Sequence, residues 1–406
     1  MPQPSVAIIG GGAAGLSAAV AAARLGAGCT VLEAGTRVGR KILATGNGRC
    51  NLTNTAVSSS AYNCPDFVAP VIAALPPDAV KAFFAEMGLL TYADDEGRVY
   101  PVTNTATSVL DVLRLECTRL GVEERCSAEV TQISAARGTS GFDVVASGGD
   151  RLHADAVVVA TGGGQSLLGE LGHTSVACTP VLGPLKTERE PIRGISGVRV
   201  RCAATLLVGG TPVATERGEL LFRDYGVSGI MVFDLSRFYE RGCVLSVDLF
   251  PDTAPDDLGR LLAERCSVLS WRTAETFFEG MLHDRVAQAV LRAARVAPAT
   301  PALELPCERL TALLKGFRLN VTGRGDAAQA QVTRGGASVT GFDPRTLQSR
   351  LVGGVFAAGE VLDVDGRCGG FNLHWAWASG IVAGQGAARF AAAHGGHSNA
   401  GSGAST

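Results

Sequence analysis

The segment VAIIGGGAAG, from Val6 to Gly15, most constrains what this chain can fold into. A short apolar run stops at three consecutive glycines, and an alanine-rich stretch without proline follows through Leu25. The run Val6 to Ile9 reads as a buried strand, Leu16 to Leu25 as a helix ending at Gly26, and Cys29 to Glu33 as a second strand. Gly10, Gly12 and Gly15 fill the pattern G-x-G-x-x-G, with Ala13 and Ala14 between the last two. Each glycine has a separate task. Gly10 permits the tight turn, Gly12 lets the backbone approach a pyrophosphate, and Gly15 lets helix and strand pack closely. The helix N-terminus then offers free N–H groups to phosphate oxygens. Glu33 stands 18 residues after Gly15 at the end of the second strand, followed by Ala34. Its carboxylate suits ribose hydroxyls and disfavours a 2′-phosphate. The alternative, a plain glycine-rich turn, gives no reason for an acid at that strand end.

This fingerprint does not separate NAD from FAD. Three further segments point to FAD. TGNGRCNLTN places Gly46, Gly48, Arg49 and Asn51 in one polar loop after the second strand, and small residues with amide donors suit a pyrophosphate or a flavin edge. Ala160, Thr161 and Gly162 lie in a glycine-rich turn, ATGGG, that ends another apolar strand. Far downstream, FAAGEVLDVDGRCGGFNLHWAWASG reads as strand, acidic turn, paired glycines and helix. A helix N-terminus there would stabilise negative charge on a reduced flavin.

Composition narrows the remaining classes. The 406 residues carry 36 basic and 38 acidic side chains, a formal net charge of −2, with no long basic stretch, so a nucleic-acid or membrane-surface partner is not expected. Eleven cysteines without a CxxC pair argue against zinc, iron–sulfur or disulfide frameworks, and no metal is expected. No apolar run is long enough for a transmembrane helix, and the N-terminus lacks the basic region of a signal peptide. A cytoplasmic protein acting on a small-molecule substrate is therefore expected, with the oligomeric state left open.

Along the chain, 36–60 reads as a polar loop, 66–90 and 104–121 as helical, and 122–160 as strands. After residue 185 the pattern changes to short alternating β segments through 250. Helices follow over 255–315, interrupted by Pro298, Pro301 and Pro306. Strands return over 316–340 and again at 353–362, then a helix at 373–393. The tail 394–406, rich in glycine and serine, is expected to be disordered.

GRKILATGNGRCNLTN, GRVYPVTNTATSVLDVL, GELLFRDYGVSG, AQVTRGGA and GEVLDVDGRCGGFNLHWAWASGIVAG resemble the HI0933-like (BaiN/YhiN-type) flavoproteins, a family also grouped with aminoacetone oxidase. The resemblance runs to about residue 390. It implies an α/β fold: a glutathione-reductase-like Rossmann FAD-binding domain (1–185 and 340–393), interrupted by a β-barrel-like domain (186–254 and 316–339) and a small helical domain (255–315). It also implies cofactor contacts from Arg40 and Lys41, from Asn51, from Val130 beside the adenine, from Gly359, Glu360 and Asp363, and from Gly370, Phe371 and Asn372 beside the flavin. The chain departs from the family pattern in a shorter stretch after Gly164, in SGIM where SGPA is usual, and in Cys368 and His374 where Thr and Gln are usual. These departures bear on the substrate rather than on FAD.

Candidate catalytic groups are few. His374, just inside the flavin-facing helix, is a candidate acid or base; the plainer alternative is a hydrogen-bonded substitute for Gln. Cys368 is a candidate thiol, or a small filler in a turn. Trp375 and Trp377 read as a wall near the ring or as core. No second G-x-G-x-x-G is present. Electrons would come from NAD(P)H binding transiently at the flavin face, giving a reductase, or from the substrate itself, giving an amine oxidase that forms hydrogen peroxide. A flavin-binding protein of low turnover is a third class. An RNA-modifying flavoprotein is disfavoured by the charge balance.

Overall fold

The computed structural model describes residues 3–137, 140–163 and 166–395. The expected tail, apart from 394 and 395, lies outside these residues, as does Gly164. The chain divides into two compact units, one formed by residues up to 179 and from 332 onward, the other by 180–331.

The first unit is built on a five-stranded parallel sheet. Its order is Val355–Ala357, Ala156–Val159, Ser5–Ile9, Gly28–Glu33 and Glu123–Cys126. Val157, Val158, Ile8, Val31 and Phe356 are fully buried, as expected for strands covered on both faces. The helix Ala13–Arg24 packs against the C-terminal helix Phe371–His394. Glycines make that contact possible. A Cβ on Gly380 would lie 2.3 Å from the Ala14 carbonyl oxygen, and one on Gly384 would lie 2.3 Å from that of Ala18. Two antiparallel three-stranded sheets complete the unit. One joins Val130–Ala135, Phe142–Ala146 and Arg151–Ala154; the other joins Thr53–Asn54, Arg98–Pro101 and Thr91–Ala93.

The second unit is a closed six-stranded barrel of Leu185–Thr187, Gly226–Ser228, Thr211–Arg223, Arg199–Val208, Val244–Asp248 and Phe317–Arg324, each strand antiparallel to its neighbours. The helices Pro255–Val268, Asp284–Ala293 and Cys307–Lys315 belong to the same unit. Leu262, Val290, Leu310 and Leu314 share one hydrophobic core with Leu245, Val247 and Phe317 of the barrel. The expected helical domain is therefore not separate from the barrel here.

The unit boundaries also differ from the expected 185 and 340. The strand Val332–Ala337, expected in the barrel, pairs with Ser175–Val181 instead. Gly335 permits this, since a Cβ there would sit 2.4 Å from the Ala177 carbonyl oxygen. The 36–60 stretch is less loop-like than expected, holding the helix Arg40–Ala44 and a 3-10 turn at Thr45–Gly48. The helical stretch 66–90 is two helices, Pro65–Ala74 and Pro77–Ala85, the first of which tolerates Pro70 inside it; the consecutive Pro76 and Pro77 start the second, where a first-turn N–H has no helical partner to lose. No single helix among the described residues is long and apolar enough to cross a membrane.

Replacing Gly384 with valine should push the two helices apart. We expect a loss of about 3 kcal/mol or more in urea unfolding, larger than typical overpacking because backbone, not a side chain, must yield.

Candidate functional site

The turn after the first strand shows which glycines the fold itself requires. Gly10 has φ +102°, and a Cβ there would lie 2.4 Å from the Ala160 carbonyl oxygen. A Cβ on Gly15 would lie 1.8 Å from the Gly10 carbonyl oxygen. Both are fixed by internal packing. Gly12 is different: a Cβ there would meet nothing within 4 Å. The chain's own packing does not demand glycine at this position, but a pyrophosphate lying against the backbone would. Gly12 caps the helix Ala13–Arg24, no side chain bonds to that cap, and the first turn holds no acid. Its uncompensated N–H groups therefore present positive charge where Gly12, Ala13 and the partly exposed edge of the turn open to solvent. Ala14 is buried behind them.

Glu33 is half-buried at the neighbouring strand end. Its carboxylate accepts the Gly11 N–H at 2.8 Å through Oε2 and the Gly35 N–H at 2.7 Å through Oε1. Each oxygen retains acceptor capacity for a ribose hydroxyl. Ala34 is exposed beside it. The Ala128 N–H bonds to the Glu33 carbonyl, which carries the chain to Val130 at the start of the next sheet. The Arg40 side chain lies near Gly35, where an added Cβ would come within 3.5 Å of its Cδ.

A second group of residues comes together at the other end of the turn. Lys41 Nζ forms an ion pair with Glu360 Oε2 at 2.7 Å, joining positions 319 apart in sequence. Gly162 lies beside this pair: its Cβ would be 3.7 Å from Lys41 Nζ and 3.8 Å from Glu360 Oε2. Glu360 Oε1 also accepts the Thr333 N–H at 2.5 Å. Thr333, within the AQVTRGGA segment, joins this group through its main-chain donor, which carries no sequence signal. Ala160 is buried under the turn and Thr161 is exposed. Gly359, at φ +75°, touches the first helix, where its Cβ would meet that of Ala14 at 2.9 Å. Its carbonyl accepts the Trp375 indole N–H at 3.2 Å, and its N–H donates to Ser379 Oγ at 2.9 Å.

The start of the C-terminal helix forms the third part. Gly370, φ +104°, caps that helix without a side-chain partner. A Cβ there would fall 2.5 Å from the Thr53 carbonyl oxygen and 2.8 Å from Asn51 Oδ1. Asn51 is buried, and its Oδ1 has no hydrogen-bond partner among the described residues. A buried acceptor of this kind is costly unless a partner arrives, and it lies beside the N-terminus of a 24-residue helix. Gly46 (φ +57°), Asn47, Gly48 (φ +83°) and Cys50 all adopt left-handed backbone, which folds the TGNGRC loop tightly below Asn51. Burial pushes the Cys50 thiol up to about 12, so it is not a ready nucleophile. Arg49 is exposed and stacks its guanidinium 4.7 Å from the Tyr100 ring centroid.

Several candidates are otherwise engaged. Asn372 Oδ1 accepts the Gly366 N–H at 2.7 Å, and its Nδ2 donates to the Gly366 and Arg367 carbonyls. It closes its own loop. Phe371 is buried, and its carbonyl accepts the Tyr62 hydroxyl at 2.8 Å. Asp363 Oδ1 accepts from the Gly335 N–H and Asn63 Nδ2, and burial, with Asp365 adding to it, raises its carboxyl pKa. Trp375 and Trp377 are core residues, the latter bonded through its indole N–H to the Leu52 carbonyl. Cys368 is half-buried in the loop before the helix.

His374 is fully buried. Its Nδ1 lies 2.8 Å from Thr53 Oγ1, and its Nε2 makes no hydrogen bond among the described residues. Burial pushes its pKa down to about 4, the Leu75 backbone opposing. At neutral pH it is an uncharged imidazole tied to Thr53. That geometry suits a structural substitute for a glutamine better than a proton donor.

The residues present fit a dinucleotide cofactor. Gly12 leaves a cradle that a Cβ would fill, two helix N-termini lack side-chain caps, Glu33 keeps acceptor capacity, and Asn51 holds an unsatisfied acceptor. Among the described residues no three His, Cys, Asp or Glu side chains converge as a metal site.

Comparison with known proteins agrees with this architecture. The model for the HI0933-like protein Rossmann domain matches residues 4–386. A 3-dehydro-bile acid delta(4,6)-reductase of Clostridium scindens is 34% identical over 94% of this chain and 98% of its own. A ribosomal RNA dihydrouridine synthase of Escherichia coli is 28% identical over 92% of this chain and 95% of its own. Among solved structures, a 3-ketosteroid-delta4-(5alpha)-dehydrogenase from Rhodococcus jostii RHA1 is 16% identical with a TM-score of 0.48, covering 96% of this chain and 98% of that one.

Two expectations follow. Gly12→Ala should fold with an unchanged urea midpoint but purify with little flavin absorbance, whereas Gly15→Ala should lose about 3 kcal/mol or more of stability because its methyl meets backbone. His374 binds its proton more weakly folded than unfolded, so its linkage weakens the protein as pH falls from 6.5 toward 4. His374→Gln should flatten that decline in unfolding free energy by roughly 3 kcal/mol, with Gln still able to bond Thr53.

Proposed function

This chain belongs to the HI0933-like family of FAD-dependent oxidoreductases, and from that premise we propose that it adds hydrogen across a carbon–carbon double bond conjugated to a carbonyl in a small organic substrate, with NAD(P)H as reductant. One observation carries this reading. The relatives that match over nearly the whole chain are named for this kind of chemistry: a delta(4,6)-reductase removes double bonds, and a dihydrouridine synthase saturates a uracil ring. The substrates differ while the reaction class is shared.

In this reading the bound flavin supplies two-electron reduction, and the protein positions and tunes it. The Gly10–Gly15 turn and the helix behind it hold the pyrophosphate through backbone N–H groups. Glu33 holds the adenosine ribose, with Val130 beside the adenine. Lys41 and Glu360 clamp the middle of the cofactor next to Gly162 and Gly359. Asn51 would donate its amide to the flavin pyrimidine edge or accept from it, and the helix starting at Phe371 would stabilise negative charge there. His374, neutral and held by Thr53, keeps Asn51 and the helix start in register rather than donating a proton.

The family members that act on ribosomal RNA support a second reading, in which the reduced base is a uridine in RNA. The net charge of −2 supports the small-molecule substrate instead.

Anaerobic mixing separates the readings. We expect NADH or NADPH to bleach the flavin absorbance, and a 4-ene-3-keto steroid to restore it with loss of the double bond. Restoration only by a uridine-containing RNA oligonucleotide would move the assignment to RNA. Bleaching by a primary amine but by neither nucleotide would overturn the reductase reading in favour of an oxidase. No bleaching by any of these would favour a low-turnover flavin carrier.

A further inference from the structure

In the barrel unit, the helix Pro255–Val268 buries Leu258, Leu262 and Cys266, spaced four apart, so a cysteine continues a leucine stripe. That helix packs against Cys307–Lys315, whose Leu310 and Leu314 lie in the same core. Where the two helices meet, Cys266 Sγ lies 3.4 Å from Cys307 Sγ, and both are free thiols. Positions 41 apart in sequence thus bring two sulfurs into hydrogen-bond contact.

The two sulfurs differ in access. Cys266 is buried, and burial, with Cys307 beside it, pushes its thiol up to about 12. Cys307 is half-buried at the first position of its helix. A small oxidant therefore meets Cys307 first. A disulfide needs about 2.05 Å between its sulfurs, so the pair has to close by about 1.3 Å. Both cysteines lie in terminal turns of their helices, where the backbone yields most readily.

We propose that Cys266 and Cys307 are a redox-modification site at which hydrogen peroxide forms a reversible disulfide. The Cys307 sulfur attacks one peroxide oxygen. An S–O bond forms, the O–O bond breaks, and the departing oxygen takes up the thiol proton and leaves as water. Cys307 has lost two electrons and is a sulfenic acid. The Cys266 sulfur then attacks the Cys307 sulfur. The S–S bond replaces the S–O bond, and the hydroxide leaves with the Cys266 proton as a second water. One peroxide is reduced to two waters as two thiols become one disulfide, and a dithiol reverses the change by exchange. The bond closes a loop over 267–306 that contains the helix Asp284–Ala293. No residue of the cofactor site takes part, so the pair stands whether or not the reductase reading does.

Peptide mass spectrometry tests it. Flavin-loaded protein is treated with peroxide, raised until the exposed Cys178 is oxidised, then alkylated and cut with trypsin without reductant. A species joining 266–272 to 296–309, lighter than the two peptides by two hydrogens, is expected. Dithiothreitol before alkylation should restore both thiols. In Cys307→Ser, loss of the Cys266 thiol should slow about tenfold or more. In Cys266→Ala, Cys307 should be trapped by dimedone as the sulfenic acid. Near-ultraviolet circular dichroism matching the parent verifies folding of each variant. Recovery of both peptides as free thiols overturns the proposal. So does a disulfide from either to a third cysteine, or Cys266 oxidation that Cys307→Ser does not slow.

Discussion

The close approach of the first helix to the C-terminal helix governs the rest of the cofactor unit. Gly380 and Gly384, one turn apart, face the carbonyls of Ala14 and Ala18 at distances no larger residue could share. Because interiors are close-packed and yield little, this contact fixes both helices relative to the central strands. Everything C-terminal inherits its position from it. Trp375 bonds the Gly359 carbonyl, Gly359 meets Ala14, and Gly370 is brought against Thr53 and Asn51. A site drawn from residues more than 300 positions apart depends on two missing side chains.

Among its polar groups this site is economical. The carboxylate of Glu33 is shared with two main-chain donors, Glu360 with Lys41 and the Thr333 N–H, and Asp363 with Gly335 and Asn63. His374 is neutral and Cys50 is a protonated thiol. Side chains that could move protons are thus largely committed to holding backbone. Helix ends and main-chain N–H groups are what the candidate site leaves uncommitted, and such fixed dipoles need no rearrangement to meet a charged group.

The legibility of these features in the sequence followed their locality. GGGAAG with Glu33 could be read directly, since a strand, a turn and a helix occupy consecutive residues and each glycine answers a nearby constraint. The sequence pattern could not distinguish the roles of the three glycines; only the surroundings show that Gly10 and Gly15 serve packing while Gly12 does not. The strand Val332–Ala337 could not be assigned by alternation, because its partner at 175–181 is distant and hydrogen bonding, not apolar pattern, selects it. Likewise the helices between 255 and 315 show apolar faces, but nothing in a face names the barrel as what covers it. His374 is readable as acid or as filler; its burial and the Thr53 hydroxyl favour the filler, and neither is encoded near position 374. Thr333 contributes through its backbone, which every residue shares.

The ion pair between Lys41 and Glu360 has a consequence for how the protein comes into being. Its two halves are separated by the whole barrel unit, and its geometry depends on a helix that ends near the last described residue. During synthesis the N-terminal strand, turn and helix emerge first, carrying the phosphate-facing backbone but no second wall. Until the helix Phe371–His394 is made, the alanine face around Ala14 and Ala18 has no glycine face to cover it. A chain truncated before Gly380 would leave the alanine face of the first helix uncovered.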